Sequence, residues 1–467
     1  MFPSCIVSLI YRESEGWAYL AMGAACIIVG TLLSIKKPKD TVFYLKEGCI
    51  ATALCWIIMS LAGAAPFMIT GEIPNFTNAV FETVSGFTTT GASILNNIEA
   101  LSYTSLFWRS FTHWIGGMGV LVFLLAVVPL SGGSNFHLMR AESPGPSVGK
   151  LVPKLRQTAR ILYLIYLGMT VIEIVLLIIG KMPVFDAITT SFGTAGTGGF
   201  GIRGDSIASY SSYCQWIITV FMILFGVNFN AYYFILFKKV KKALSMEEVR
   251  WYFIIILAAV AIIFVNILGV YGNILEALKH AAFQVGSIIT TTGFATADFN
   301  TWNQCSKSIL VLLMFIGACA GSTGGGIKVS RIVVLVKTVA KELHSYIHPK
   351  SIRKIKIERK PVEHEVVRAT NVYFITFMLI FCASVFLVSL EGEDLVTNFT
   401  AVAATINNIG PGLELVGPTG NFAHFNGMTK WVLIFDMIAG RLELFPLLIL
   451  FHPTMWKQMF NKKKVIK

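Results

Sequence analysis

The sequence is short of charge. Asp, Glu, Lys and Arg supply 13% of its 467 residues, about half the share usual in a soluble globular chain. That excludes a water-soluble fold of this length. It also lacks the marks of redox or metal chemistry: its eight cysteines contain no Cys-x-x-Cys, and most fall inside apolar runs, where they read as small buried hydrophobes. Cys214 and Cys305 lie near the same predicted membrane side, but nothing in their spacing pairs them. No Ser/His/Asp or paired-carboxylate arrangement stands out for catalysis. His344 and His348, four apart with Glu342 near, read as a solvated helix face rather than a zinc site. The glycine-rich run at 317–326 fails the phosphate-loop pattern, because Ile327 separates Gly326 from Lys328. No small-residue cleavage site follows the first apolar run, so no cleavable signal peptide is expected. The reading is therefore not an enzyme, with no organic cofactor.

What is present is apolar surface. Hydrophobic residues make up 55% of the chain, mean hydropathy is +0.69, and several runs approach the ~20 residues that a spanning helix needs. Spans are expected at 17–35, 45–69, 105–130, 159–180, 212–237, 251–272, 306–340, 367–390 and 428–451. Phe2 to Tyr11 is apolar but too short to span alone; it reads as the tail of a first helix whose start lies upstream. The expected architecture is an all-α integral membrane protein. It divides into an N-terminal helix pair (1–38, first helix incomplete) and four units at 39–135, 136–245, 246–345 and 346–467.

The +13 formal charge is concentrated on one side. Of the 38 basic residues, 28 fall in loops such as 36–46, 140–160, 238–250 and 337–368 and in the C-terminus, against five on the opposite side. These loops are expected to be cytoplasmic. The pattern explains the basic balance without nucleic acid, which is not an expected partner. The stretch 341–366 carries more charge than topology requires and suits a lipid surface or a cytosolic partner. The opposite side holds thirteen acidic residues, Glu82, Asp186 and Glu414 among them. These read either as ordinary outer loops or as an acidic mouth that concentrates cations.

On that acidic side one pattern recurs four times. Ala79 leads to Thr88-Thr89-Thr90-Gly91, Ala187 to Thr197-Gly198-Gly199, Ala281 to Thr290-Thr291-Thr292-Gly293 and Asn398 to Asn407-Asn408-Ile409-Gly410. Each final glycine falls twelve positions after its starting residue. Four such runs between apolar segments point to loops converging on one axis, a pore. A dehydrated alkali cation needs oxygens, which rings of backbone carbonyls provide. The irregular backbone this requires suits glycine and must be buried in protein or line water. A half-helix before each loop would aim its carbonyl end at the axis. In the second loop Gly198 and Gly199 both qualify; spacing, and the parallel of Gly199-Phe200 with Gly293-Phe294, favour Gly199. The fourth loop has no threonine in the three places before its glycine. The first and third loops are alike, which puts most of the selectivity on Gly91 and Gly293.

Two features interrupt spans. Gly317 to Gly326 should break the helix at 306–340, and reads either as a mobile plug below the loops or as a static break. Arg441 lies mid-span, where a charge is expensive unless it faces water or a partner. It would pair with Glu443, Asp436 or Glu173, or else set an electrostatic barrier beside the pore.

With these residues in view, the chain resembles the Trk/Ktr/HKT superfamily of potassium transporters, of the TrkH type. The resemblance covers essentially the whole length. It rests on the four loops, on His113-Trp114-Ile115-Gly116-Gly117-Met118-Gly119 and on Arg140-Ala141-Glu142-Ser143-Pro144-Gly145-Pro146. It also rests on Gly321-Ser322-Thr323-Gly324-Gly325-Gly326-Ile327-Lys328, Asn407 to Gly412, and Gly440-Arg441-Leu442-Glu443. The resemblance implies four pseudo-repeated helix–pore-loop–helix units around a central ion pore in a bacterial inner membrane, with one filter glycine per unit. It implies potassium uptake, channel-like or by K⁺/H⁺ or K⁺/Na⁺ symport, with K⁺ held at Thr89, Thr90, Thr291, Thr292, Asn408 and Ile409. Residues 317–327 would be an intramembrane gating loop, with Lys328 just beyond, and Arg441 the barrier. The implied partners are a second copy in a homodimer, a TrkA-like cytosolic ring of nucleotide-binding regulatory subunits, and membrane lipid.

Overall fold

The structure is a computed structural model that describes residues 1–35, 45–119, 155–351, 354–358 and 360–454. The expected span over 105–130 is therefore seen only to residue 119. The Arg140–Pro146 motif, the boundary between the first two expected units and many of the basic loop residues lie outside the described residues.

Two helices open the chain, α1 (Phe2–Tyr11) and α2 (Gly16–Ser34), and pack against each other and the first unit. Each of the four units then repeats one plan: a long apolar helix, a shorter helix ending in an irregular loop, and a third helix. The first unit holds α3 (Leu45–Ile69), α4 (Phe76–Phe87) and α5 (Tyr103–Gly117). The second holds α6 (Leu155–Ile179), α7 (Val184–Gly196), α8 (Ser212–Phe225) and α9 (Phe229–Leu236), followed by a short α10 (Val240–Leu244). The third holds α11 (Glu247–Tyr271), α12 (Ile274–Ile289), α13 (Gln304–Ile316) and α14 (Val329–Ile347). A two-stranded antiparallel hairpin, β1 (Lys356–Ile357) with β2 (Lys360–Pro361), leads into the fourth: α15 (His364–Ser389), α16 (Leu395–Ile406), α17 (Gly427–Arg441) and α18 (Phe445–Leu448).

Burial follows the role of each helix. The first helices of the third and fourth units expose one apolar face, as helices facing lipid should: Leu257, Val265, Leu379 and Phe386 all face outward, whereas α3 is more enclosed. The second helix is buried throughout its inner half. Ala79, Ala187, Ala281 and Asn398, the four residues that start the twelve-residue spacing, are all at most 1% exposed. The small side chains at the first three positions let the half-crossing helices pack closely against the third helices of their own and neighbouring units. Their outer ends are capped where the sequence provides an acceptor: Asn75, Asn273 and Asp394 accept from backbone amides of the first turn. Hydrogen bonds from Thr397 hold the Asp394 carboxyl below its usual range.

The long expected spans are not all single helices. Among the described residues five helices are long and apolar enough to cross a membrane alone, and α8 with α9 makes a sixth bent by 92°. The span expected at 212–237 is thus broken at Gly226-Val227-Asn228, where Asn228 caps α9. That at 428–451 ends at Arg441, with Glu443 and Leu444 in left-handed backbone. The expected break near Gly317 is present between α13 and α14. In each case the third helix of a unit stops partway across, where backbone groups must find partners outside the helix.

Candidate functional site

Every half-crossing helix ends in the same hydrogen-bonded turn. Thr89 N donates to Gly86 O and Thr90 N to Ser85 O. Thr197 and Gly198 repeat this on Thr194 and Gly193, Thr291 and Thr292 on Ile288 and Ser287, and Asn408 and Ile409 on Thr405 and Ala404. The backbone then alternates in hand. Thr89, Thr197, Thr291 and Asn408 take φ of 55°, 54°, 58° and 56°, and Gly91, Gly199, Gly293 and Gly410 take 78°, 75°, 84° and 99°, with a residue at negative φ between. Alternating hands turn successive peptide planes so that neighbouring carbonyls face one side, unlike the opposed carbonyls of a strand. Positive φ is uncommon for any β-branched residue, so three threonines there mark a conformation imposed by the surroundings.

The four loops close on one another. A β-carbon on Gly91 would stand 1.9 Å from Gly198 O, one on Gly199 2.0 Å from Thr292 O, one on Gly293 2.0 Å from Ile409 O, and one on Gly410 2.7 Å from Thr90 O. Each glycine therefore abuts the carbonyl just before the glycine of the next unit, and the fourth returns to the first. The ring aligns Gly199, not Gly198, with the other three glycines; Gly198 instead sits against the His113 ring. Above it, a cavity of about 130 Å³ is lined by all four glycines together with Arg109 and Arg203.

Side chains hold the loops from behind. The hydroxyls of Thr88 and Thr90 bond each other at 2.8 Å and those of Thr290 and Thr292 at 2.7 Å. Where the fourth loop lacks a threonine, the Asn408 amide donates to Thr90 Oγ1 at 3.0 Å and to Met437 O at 2.9 Å, joining the fourth unit to the first. His113, fully buried, holds Gly86 O at 2.7 Å through Nδ1 and accepts from Phe200 N at 3.2 Å through Nε2. It thereby links the first loop to the second. Glu82, expected among the outer acids, is instead 1% exposed and paired at 2.7 Å with Arg109. That pair accepts from Ser93 and Ile94, donates to Gly201 O, and lays the guanidinium over Phe200. Asp186 is likewise engaged by Arg203 and Tyr210. Among the described residues no carboxylate lines the cavity above the ring.

Below the ring lies the glycine-rich segment. Gly325 N donates to Thr291 Oγ1 at 2.6 Å, and β-carbons on Gly324 and Gly325 would meet Thr290 O and Asn407 O at 2.8 and 2.3 Å. Gly321, Ser322, Thr323 and Gly326 complete the turn, with Ser322 Oγ on Cys319 O and Thr323 Oγ1 on Phe225 O. Lys328 is buried and donates to Gly324 O. Arg441 reaches the same segment: it donates to Thr323 O at 2.9 Å, to Gly117 O at 2.9 Å and to Gly116 O. Of its expected partners, Glu443 is engaged by Arg331, and Asp436 accepts from Ser384. Cys214 and Cys305 are both free thiols, one beside Gly180 and the other beside Asn266. Among the described residues no group of three or more His, Cys, Asp or Glu side chains could hold a metal.

Neither composition nor spacing assigns a role to His113, and Glu82 and Arg109 lie in different segments of the chain. Their separation, 27 positions, left no periodic signal of the pair.

The chain is similar to known proteins over nearly its whole length. The family model for TrkH, a cation transport protein, matches residues 16–463. The chain is 36% identical over 461 residues to the Trk system potassium uptake protein TrkH of Salmonella typhimurium, covering 97% of this chain and 95% of that one. It is 32% identical over 465 residues to the Trk system potassium uptake protein TrkG of Escherichia coli, covering 98% and 95%. The crystal structure of the potassium transporter TrkH from Vibrio parahaemolyticus superposes with a TM-score of 0.86 at 33% identity, over 97% of this chain and 95% of that one. With a matching fold, near-complete coverage and identity above 30%, the chain belongs to the TrkH family of cation transport proteins.

Proposed function

We propose that this protein takes up potassium across the bacterial inner membrane through the four-loop ring, acting as a channel-like pore. The observation that carries the reading is the closure of the ring, each glycine at positive φ against the carbonyl of the next unit. Such a ring replaces the hydration oxygens of a cation without placing net charge in its path. In this reading Thr89-Thr90-Gly91, Thr197-Gly198-Gly199, Thr291-Thr292-Gly293 and Asn408-Ile409-Gly410 line the filter. K⁺ is held by Thr89, Thr90, Thr291, Thr292, Asn408 and Ile409. The carbonyl ends of α4, α7, α12 and α16 add partial negative charge around it. The four units are the quarters of the pore and α1–α2 an accessory pair. The basic loops and C-terminus face the cytoplasm.

The glycine-rich loop at 317–327 is the gate in this reading: it lies against the inner side of the ring, where Gly325 N donates to Thr291 Oγ1. Arg441 is the electrostatic barrier, holding positive charge beside the path. A homodimer on a cytosolic ring of nucleotide-binding subunits would regulate it, acting on the basic surface around α14 and the β1–β2 hairpin. A K⁺/H⁺ symport reading draws on two buried carboxylates, Glu173 and Asp436, the latter with Oδ2 lacking a hydrogen-bond partner among the described residues. Rb⁺ and Na⁺ flux into proteoliposomes, with and without a pH gradient, separates the two. The channel reading expects Rb⁺ flux that far exceeds Na⁺ flux and follows its own gradient. Flux that requires the pH gradient would replace it with symport, and equal Rb⁺ and Na⁺ flux would remove the filter.

A further inference from the structure

Glu248 stands at the start of α11, far in sequence from the glycine-rich loop, yet its carboxylate binds both ends of it. Oε1 accepts from Ala320 N at 2.5 Å, before the three consecutive glycines, and from Ser330 N at 3.2 Å, after them. Oε2 accepts from the Asn228 side-chain amide at 3.3 Å. Asn228 caps α9 at the 92° bend, and its neighbour Phe229 donates to Gly321 O. One carboxylate therefore gathers the entry of the loop, its exit and the break in the second unit's inner helix.

The residue beside it faces the cytoplasmic elements. Glu247 pairs with Lys337 of α14 and accepts from Glu358 N in the turn between β1 and β2. Lys337 also donates to Lys356 O in β1 at 2.7 Å. Glu247 and Glu248 are adjacent, and they occupy the first turn of a 25-residue helix, where the helix dipole favours negative charge. A displacement of the hairpin or of α14 is thus delivered to the helix start that holds the loop.

We propose that Glu248 is the latch that keeps the intramembrane loop under the ring, and that the Glu247–Lys337–hairpin contact is the handle through which a cytosolic partner releases it. The proposal rests on reading residues 317–327 as the gate. Glu248 touches no ion; it is a positioning residue that closes the loop by pinning both its ends. Hydrogen bonds to an ionised acceptor are among the stronger ones. Losing the charge while keeping the amide oxygen raises the open fraction about tenfold, and losing both pinned amides raises it on the order of a hundredfold.

The test is Rb⁺ flux in proteoliposomes carrying the full chain without any partner. It compares wild type, Glu248→Gln, Glu248→Ala, a deletion of residues 322–325, and the deletion combined with Glu248→Ala. The expected basal flux rises in the order wild type, Gln, Ala, deletion, with the combined variant equal to the deletion alone, because a latch has nothing to hold once the loop is gone. Glu247→Gln should leave basal flux within about twofold of wild type while loosening the hairpin, read as faster amide exchange at 356–361. A deletion that conducts freely while both Glu248 variants stay at wild-type flux overturns the latch and leaves the gate standing. A deletion that stays closed overturns the gate itself. A combined variant with flux well above the deletion also overturns the latch, since Glu248 would then act elsewhere.

Discussion

Replacing Gly293 by alanine puts the ring to its most direct chemical test. The new β-carbon would lie 2.0 Å from Ile409 O and 2.9 Å from the Pro411 ring, against a backbone oxygen that cannot rotate away. The residue would also sit at φ 84°, where an L side chain costs roughly 1–2 kcal/mol. Overpacking of this kind adds about 1–3 kcal/mol. Together the cost is on the order of 2–5 kcal/mol. A well-packed helical bundle can carry that, so relief is expected locally, by the third loop withdrawing from the fourth. The carbonyls around the ring then no longer surround a dehydrated K⁺, and discrimination falls. In proteoliposomes the Rb⁺/Na⁺ flux ratio of Gly293→Ala should collapse toward one while the protein remains monodisperse. The four glycines should not respond equally: Gly91→Ala and Gly199→Ala face contacts of 1.9 and 2.0 Å, whereas Gly410→Ala has 2.7 Å and should retain the most selectivity. A Gly293→Ala protein with the wild-type ion preference, or a Gly410→Ala protein more impaired than the others, would refute the reasoning.

Two further outcomes follow from charges held within the helix bundle. Arg441→Gln should raise unitary Rb⁺ flux by on the order of tenfold or more, because a unit positive charge within several ångström of a passing cation opposes it by on the order of 2 kcal/mol at an effective dielectric of about 20. Arg441→Lys should stay slow, and equal rates for the two variants would return the residue to a purely structural role. Arg109→Ala strands the Glu82 carboxylate in the protein interior at a cost of about 3–5 kcal/mol, so its thermal unfolding in detergent should fall steeply. Arg109→Met with Glu82→Gln should recover most of the loss, and an unshifted single variant would show that the pair is not buried as described.

Much of this site was legible in the sequence because it is repeated. Four glycines at one spacing from four small or polar residues identify a shared turn, and that spacing favours Gly199 over Gly198, as the ring does. The likeness of the first and third loops was also legible, but its consequence was not: Gly199 is packed as tightly as Gly91 and Gly293, and only Gly410 is looser. Asn408 explains why the fourth loop does without threonine. Asparagine accepts a left-handed backbone more readily than other residues, and its amide replaces the hydroxyl pair by reaching across to Thr90. Hydropathy could not see the broken inner helices, since α8 and α9 are apolar on both sides of the bend and only the Asn228 cap marks it. Nor could periodicity join Glu82 to Arg109, His113 to Phe200 or Glu248 to the glycine-rich loop, because each contact crosses between helices and depends on three-dimensional packing.

The most direct measurement is the anomalous scattering of crystals grown in Rb⁺. Density is expected on the axis of the ring, within coordinating distance of the carbonyls of Thr90, Gly198, Thr292 and Ile409. Rb⁺ density elsewhere in the membrane region, with the ring empty, would contradict the assignment of these four loops as the ion path.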